Sequence, residues 1–135
     1  MPRYHSLEAE GSLLITAFVE KDPVIQFLIR QGERPGVGII HWIRKGRRSS
    51  EKAIRSCNLA DIFKDQGFDR VIYETIVIEG SEFAKQEISP KLLEAMGFRV
   101  SQRKHRSEVV GEILEEEREN PFLNLRFSIL RAIWE

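Results

Sequence analysis

Apolar and polar positions alternate over three stretches in the first third of the chain. Residues 12–19 are mostly apolar or β-favouring, and residues 24–30 resume the pattern after an aspartate-proline break. A second break, GERPG at 32–36, leads into VGIIHWI at 37–43. Short alternating runs bounded by turn residues are typical of hairpins. The pattern therefore predicts three strands in a meander.

Strict alternation along 37–43 assigns its side chains to two faces of the sheet. One face is predicted to carry Val37, Ile39, His41 and Ile43. The other face is predicted to carry Ile40 and Trp42.

After Gly46 the apolar residues recur at spacings of three and four, which is the period of a helix. The apolar stripe consists of Ala53, Ile54, Cys57, Ala60 and Phe63. Ser49 or Ser50 is suited to cap the start of this helix, and Gly67 to end it. One helix is therefore predicted between the third strand and Gly67, with Cys57 in its buried stripe.

A fourth strand and a second helix are predicted next. RVIYETIVI, at 70–78, is rich in β-branched residues and apolar on both faces, which is typical of a strand inside a sheet. Residues 81–88 are predicted to form one or two helical turns. Ser89 and Pro90 suit the cap and first position of a helix that runs to Gly97.

The last third of the chain predicts an extended segment at 98–102, a very acidic helix at 107–118 and a final strand at 123–129. The order is β-β-β-α-β-α-β-(α)-β. It predicts an α/β (α+β) fold with a mixed, mainly antiparallel sheet and flanking helices, as a single domain over 1–135.

Composition limits the classes of partner and compartment. Lysine plus arginine equal aspartate plus glutamate at 21 each, so no overall field attracts a polyanion or a membrane. One cysteine excludes an internal disulfide and suits a reducing compartment, and the three scattered histidines predict no metal site. The sequence shows neither a signal-peptide pattern nor an apolar run of about 20 residues. We therefore expect a soluble, cytoplasmic protein with no membrane partner.

The stretch LLEAMGFRV, at 92–100, ends its helix on Gly97 and begins an extended run at once. An ordinary helix C-cap with Phe98 in the core accounts for this junction. The stretch also resembles the GNAT superfamily of acyl-CoA-dependent N-acetyltransferases. There the penultimate helix commonly ends in leucine-tyrosine-glutamate-lysine-leucine-glycine-phenylalanine, with which residues 92–98 are in register. The predicted element order over 12–102 is similar to that of the same superfamily.

The resemblance implies acetyl-CoA as cofactor, and a loop before the first helix that holds its pyrophosphate on backbone N–H groups. The family loop has the form Gln/Arg-x-x-Gly-x-Gly/Ala, whereas the equivalent stretch here, IRKGRRSS at 43–50, has one glycine and four basic residues. Side-chain charge could replace part of the backbone cradle. The expected cofactor-binding residues are Arg44, Lys45, Gly46, Arg47, Arg48, Ser49 and Ser50.

The resemblance also implies a base that takes the proton of the amine and an acid that reprotonates the thiolate. Leu93 stands where many family members have the acid tyrosine, and leucine cannot donate a proton. His41 and Glu74 are the candidate bases, and Tyr73 is the candidate acid, although each residue type is also common in purely structural positions. The expected activity is N-acyl transfer to an unidentified small-molecule or protein amine.

The same basic residues are compatible with two other interpretations. With Trp42 nearby, the basic patch over 44–55 could bind a nucleic-acid backbone, or the run could be a solvated loop. A non-catalytic GNAT-like accessory protein, of a phage or a host cell, would use the patch to bind nucleic acid or a protein. Neutral net charge makes nucleic acid the less favoured partner. The acidic 107–119 segment could instead pair with a basic run in a homodimer.

Overall fold

The computed structural model describes residues 4–47, 49–78, 88–106 and 126–135. The strands in these ranges are β1 (Tyr4–Ala9), β2 (Ser12–Val19), β3 (Asp22–Gln31), β4 (Val37–Lys45), β5 (Arg70–Ile78), β6 (Arg99–Arg106) and β7 (Arg126–Trp134). The helices are α1 (Glu51–Ser56), α2 (Leu59–Asp65) and α3 (Pro90–Ala95). None of these three helices is long and apolar enough to cross a membrane.

The strands form one mixed sheet in the order β1-β2-β3-β4-β5-β7-β6. The β1–β2, β2–β3 and β3–β4 pairs are antiparallel, whereas β4 and β5 are parallel. A parallel pair needs a crossover connection, and α1 and α2 supply it. The predicted mixed, mainly antiparallel sheet with flanking helices is confirmed.

The predicted three-strand meander is preceded by β1, a strand that the sequence analysis did not predict. Glu10 and Gly11 connect β1 to β2 with φ values of 52° and 77°, which is the arrangement of a two-residue hairpin turn of type I′. β1 forms one edge of the sheet, and its residues from His5 to Ala9 are exposed. Its sequence therefore lacks the apolar alternation that marks a half-buried strand.

The single helix predicted before Gly67 is wrong, because the chain forms α1 and α2 with a break at Asn58. Asn58 has a left-handed backbone (φ 50°), and its Nδ2 donates to Asp61 Oδ2 at 2.6 Å. Asparagine tolerates this conformation better than most residues. The predicted ends are confirmed: Ser50 Oγ accepts from Ala53 N at 3.1 Å, and Gly67 follows α2 with φ 87°.

The boundaries of α3 also agree with the prediction. Ser89 Oγ accepts from Leu92 N at 3.2 Å, Gly97 has φ 96°, and Phe98 is buried. Residues 98–102 are extended as predicted, since β6 begins at Arg99. The helices predicted at 81–88 and 107–118 lie outside the described residues, apart from Ile88, which is buried.

The final strand lies further along the chain than predicted, and residues 123–125 of the prediction fall outside the described ranges. β7 runs to Trp134. Its buried residues are Ser128, Leu130, Ala132 and Trp134. Phe127 and Ile129, from the predicted apolar alternation, are only partly buried.

The chain divides into two compact units. The first comprises Met1–Tyr73, Ile88–Val100 and Ala132–Glu135. The second comprises Glu74–Glu87 and Ser101–Arg131. The described part of the second unit holds the remaining portions of β5, β6 and β7, and includes an ion pair between Arg131 and Glu74 at 3.9 Å. The single domain expected from the sequence stays a prediction.

Phe63 lies at the centre of the core of the first unit and is fully buried. Its ring centroid is 5.5 Å from that of Phe27, 6.0 Å from that of Phe98 and 5.2 Å from that of Trp134. The first two contacts are edge-to-face, a geometry that aromatic quadrupoles favour. One residue of α2 therefore contacts side chains from β3, from the segment just before β6 and from the end of β7.

Replacing Phe63 with alanine should lower the free energy of unfolding by about 3–5 kcal/mol, because it leaves a cavity between three aromatic rings. Urea unfolding of the full chain measures this loss. Lys64→Ala, an exposed change at the next position of α2, is the matched control and should shift stability by no more than about 0.5 kcal/mol. Equal effects from the two substitutions would contradict the central role of Phe63.

Candidate functional site

Within the first unit, β4 pairs with β5 from Val37↔Arg70 to Ile40↔Tyr73. Beyond these pairs, β4 continues to Lys45 and leads directly into the loop before α1. The backbone N–H and C=O groups of a strand can bind an extended molecule that carries amide groups.

A β-bulge lies in β4 directly after the residue that pairs with Tyr73. Leu28 pairs with Trp42 and Ile29 pairs with Ile40, so His41 is an extra residue in β4. The bulge places Ile40 in the core and Trp42 on the opposite face beside Leu28. The predicted placement of Ile40 and Trp42 on one face is therefore wrong. His41 itself is exposed.

Beyond the bulge, Arg44 and Lys45 point to opposite faces of β4. Arg44 pairs with Gln26 and places its guanidinium 4.6 Å from the centre of the Trp42 ring, a cation–π contact. Lys45 pairs with Ile25, and both cationic residues are exposed. Together with Gly46 they line a cavity of about 260 Å³ at the end of β3 and β4. The two basic side chains thus lie on opposite faces of β4, and both contribute to the rim of one cavity.

Gly46 has a structural reason to be glycine. Its N–H donates to the Val24 carbonyl at 2.8 Å, and a Cβ at this position would lie 2.1 Å from the Pro23 carbonyl oxygen. The chain therefore passes so close to β3 that no side chain fits. Because its N–H is already bonded, Gly46 is a poor backbone donor to a phosphate.

The rest of the loop leads directly into α1. Arg47 is exposed and Ser49 is partly buried, while Arg48 lies outside the described residues. Ser50 accepts the N-cap hydrogen bond of α1, so its hydroxyl is occupied in starting the helix. Arg47, together with the two basic residues at the end of β4, is therefore best suited to contact an anion.

The first turn of α1 already contains a carboxylate. Glu51 lies 3.0 Å from Arg55 and 3.7 Å from Lys91. The hydrogen bond from Arg55 and the positive charge of Lys91 lower the pKa of Glu51. A bound anion would meet a negative charge at this helix start, which favours recognition by the side chains of the preceding loop instead. Arg55, part of the predicted basic patch, is occupied by this ion pair.

The three candidate acid–base residues differ in their surroundings. His41 is exposed on the bulge, and Tyr73 is 5% exposed on β5, where it pairs with Ile40, the residue before His41. Glu74 is exposed and belongs to the second unit, where it pairs with Arg131. The structure therefore brings His41 and Tyr73 to the same end of the β4–β5 pairing.

Two further positions have structural roles. Leu93, at the position of the family tyrosine, is fully buried in α3. Cys57 is buried at the end of α1, and this burial raises the pKa of its thiol, which disfavours the reactive thiolate. The prediction that Cys57 lies in the core is confirmed.

The bulge at His41 is the site feature that sequence reasoning missed. The bulge residue is a histidine and not a glycine, so no turn signal marks it. Only the change of side-chain period after Gly46 indicated that the strand ends near this point.

No family model matches the chain, and no curated protein matches it in sequence. Solved structures do match. A GNAT family acetyltransferase from Elizabethkingia anophelis with acetyl-CoA bound superimposes with a TM-score of 0.52 at 11% identity, over 98% of this chain and 96% of that one. For an IAA acetyltransferase from Bacillus cereus the TM-score is 0.50 at 14% identity, over 93% and 79% of the two chains.

A third match is a structure from Bacillus anthracis, described as a streptothricin acetyltransferase in complex with acetyl coenzyme A, with a TM-score of 0.50 at 11% identity. The match covers 96% of this chain but 65% of that one, so this chain spans slightly less than two thirds of its length. At such identities the comparisons show the fold alone. The chain has a GNAT-like fold, and the resemblance drawn from residues 92–98 is confirmed at this level.

Gly46→Ala should lower the free energy of unfolding by about 1–3 kcal/mol, because the new methyl group collides with the backbone of β3. Thermal and urea unfolding measure the change. Arg47→Ala, an exposed substitution at the next position, serves as control and should have little effect on stability. Wild-type stability in Gly46→Ala would mean that the loop does not pack against Pro23 as described.

Proposed function

We propose that the chain binds an acyl-CoA and transfers its acyl group to an amine. The observation that carries this proposal is the course of β4, which continues past its pair with Tyr73 to Lys45 and leads directly into the basic loop. The GNAT-like fold supports it, since two of the similar structures contain acetyl-CoA. Acetyl-CoA is accordingly the donor to test first.

The chemistry of coenzyme A fits the two parts of this region. Its pantetheine arm contains two amide groups, which can hydrogen-bond to the backbone of a strand. Its pyrophosphate carries negative charge, which Lys45 and Arg47 can neutralise at the end of β4. Gly46 and Ser50 contribute mainly by shaping the loop, because the Gly46 N–H donates to the Val24 carbonyl and Ser50 Oγ accepts the N-cap hydrogen bond of α1. The proposed cofactor-binding residues also include Arg44, Arg48 and Ser49.

Acyl transfer requires the amine nitrogen to attack the thioester carbonyl carbon, after which the carbon–sulfur bond breaks and the thiolate leaves. A base must accept the proton that the attacking amine loses, and an acid must protonate the thiolate. His41 is the proposed base, because it is exposed on the bulge of β4 directly after Ile40. Tyr73, which pairs with Ile40, is the proposed acid. Glu74, the other candidate base, stays a prediction.

Nucleic-acid binding through residues 44–55 is the competing function, and the described contacts reduce its support. Arg55 is paired with Glu51, and Arg44 is stacked on Trp42. The ion pair reduces the charge that the patch offers to a phosphate backbone, whereas the cation–π contact orients Arg44 and leaves its charge in place. Salt-dependent binding of DNA or RNA would be the distinguishing result.

Isothermal titration of the full chain with acetyl-CoA and with CoA tests the binding step. The double variant Lys45→Ala/Arg47→Ala should bind both ligands about tenfold more weakly, because each charge-assisted contact contributes about 1.5–3 kcal/mol when shielded and less when exposed. Lys64→Ala/Arg103→Ala removes the same charge from exposed positions elsewhere and should leave affinity unchanged. Failure of the wild type to bind either ligand at millimolar concentration would overturn the proposal.

A second experiment tests catalysis by measuring thiol release from acetyl-CoA with a panel of amines: a polyamine, an arylamine, a lysine peptide and a peptide with a free N-terminus. His41→Gln should reduce the rate with any accepted amine about a hundredfold, the scale of general-base catalysis, without changing acetyl-CoA affinity. His5→Gln, exposed on β1, is the control. Full activity in His41→Gln would assign the proton transfer to another group.

A further inference from the structure

A second cavity lies at the other end of β4, within the first unit, and neither the sequence motifs nor the proposed acyl transfer uses it. Its volume is about 560 Å³, which is within the range of about 300–1,000 Å³ common for small-molecule sites. Its walls combine three arginines with three aliphatic side chains. The arginines are Arg30, Arg34 and Arg70, and the aliphatic residues are Val37, Ile39 and Ile72.

The aliphatic residues form a continuous apolar floor. Ile39 pairs with Ile72 across the β4–β5 ladder and with Arg30 across the β3–β4 ladder, so these three side chains share one face of the sheet. The neighbouring Ile40 and Val71 point to the opposite face and are buried in the core. The floor of the cavity is therefore the partly exposed side of the same strands that form the core.

The arginines around this floor differ in whether their charge is neutralised by an ion pair. Among the described residues, neither Arg30 nor Arg34 forms an ion pair, whereas the Arg70 guanidinium lies 2.9 Å from Glu135. Glu33 also lines the cavity and contributes one negative charge. Two unpaired guanidinium groups beside one carboxylate favour a compact anion over a large polyanion. Guanidinium groups bind carboxylate and phosphate oxygens through paired hydrogen bonds.

Backbone hydrogen bonds fix the turn that carries Arg34. Gly32 N donates to the Val37 carbonyl at 2.7 Å, and Val37 N donates to the Arg34 carbonyl at 3.2 Å. The Gly36 carbonyl accepts from Asp69 N at 2.7 Å and from Arg70 N at 3.2 Å. The turn is thus bonded to the start of β5, so the backbones that carry Arg34 and Arg70 are held together before any ligand arrives.

We propose that this cavity binds a small amphipathic anion. Its carboxylate or phosphate lies between Arg30 and Arg34, and its apolar part lies on Val37, Ile39 and Ile72. The apolar part contributes affinity by burial, while the two guanidinium groups fix the orientation. Because the cavity is at the start of β4 and the basic loop is at its end, this site is distinct from the proposed acyl-CoA site.

Nuclear magnetic resonance titration of the ¹⁵N-labelled full chain with octanoate and with octyl phosphate tests the proposal. Saturable shifts are expected at backbone amides of residues 30–39 and 70–72. Arg30→Ala/Arg34→Ala should weaken binding of both probes about tenfold, whereas the control Lys64→Ala/Arg103→Ala should bind as the wild type does. Ile39→Thr should weaken octanoate binding and leave inorganic phosphate unaffected, because it removes apolar surface while keeping a β-branched shape.

Tighter binding of octanoate identifies a carboxylate ligand, and tighter binding of octyl phosphate identifies a phosphate ester; either supports the proposal. The absence of saturable shifts at millimolar concentration, shifts confined to other residues, or equal affinity in Arg30→Ala/Arg34→Ala would overturn it. Octanol should bind more weakly than either anion. If octanol bound with the same affinity as the anions, charge would not contribute to binding. Arg30→Ala/Arg34→Ala should bind acetyl-CoA as the wild type does, because the two proposed sites are distinct. This titration therefore separates a failure of the cavity proposal from a failure of the acyl-transfer proposal.

Discussion

The packing of Phe63 is the constraint on which the first unit depends. This one side chain of α2 contacts rings from β3, from the segment before β6 and from the end of β7. The contacts are long-range in sequence, so the core forms only when these elements assemble together. Because α1 and α2 follow β4 through one short loop, the position of α2 also restricts where the chain leaves the sheet. The candidate site is built at that exit.

β4 connects this core to both proposed sites. Its first half pairs with β5 and supplies part of the apolar floor of the arginine-lined cavity, while its second half passes the bulge at His41 and leads into the basic loop. At the exit, Gly46 is required by close packing on Pro23 and Ser50 by the cap of α1. We propose that the side chains of this loop take the place of the backbone cradle that the resemblance implies.

Local chemistry allowed much of the fold to be predicted from sequence. β2 and β5 have the predicted limits, and Ser50, Ser89 and Gly97 mark helix ends because capping depends on residues close in the chain. Features without a local signal were missed. β1 is an exposed edge, and the bulge at His41 shifts the register without a glycine.

The two proposed sites also differ in whether a local sequence signal marks them. The basic run at 44–48 is contiguous, so sequence alone was sufficient to select it. Arg30, Arg34 and Arg70 are brought together by the antiparallel pairing of β3 with β4, by the parallel pairing of β4 with β5 and by the hydrogen bonds of the turn at Gly36. Neither spacing nor period in the sequence marks that cluster. This arginine cluster can be identified only from the register of the strands in the sheet.

Amide hydrogen exchange of the full chain, with and without acetyl-CoA, measures directly whether the ligand binds along β4. A pantetheine arm bonded to the backbone of β4 should slow exchange at backbone amides of residues 42–47. Exchange at residues 30–37, at the opposite end of the β3–β4 pair, should not change. Unaltered exchange at 42–47 under saturating acetyl-CoA, or slowing confined to other segments, would contradict the account.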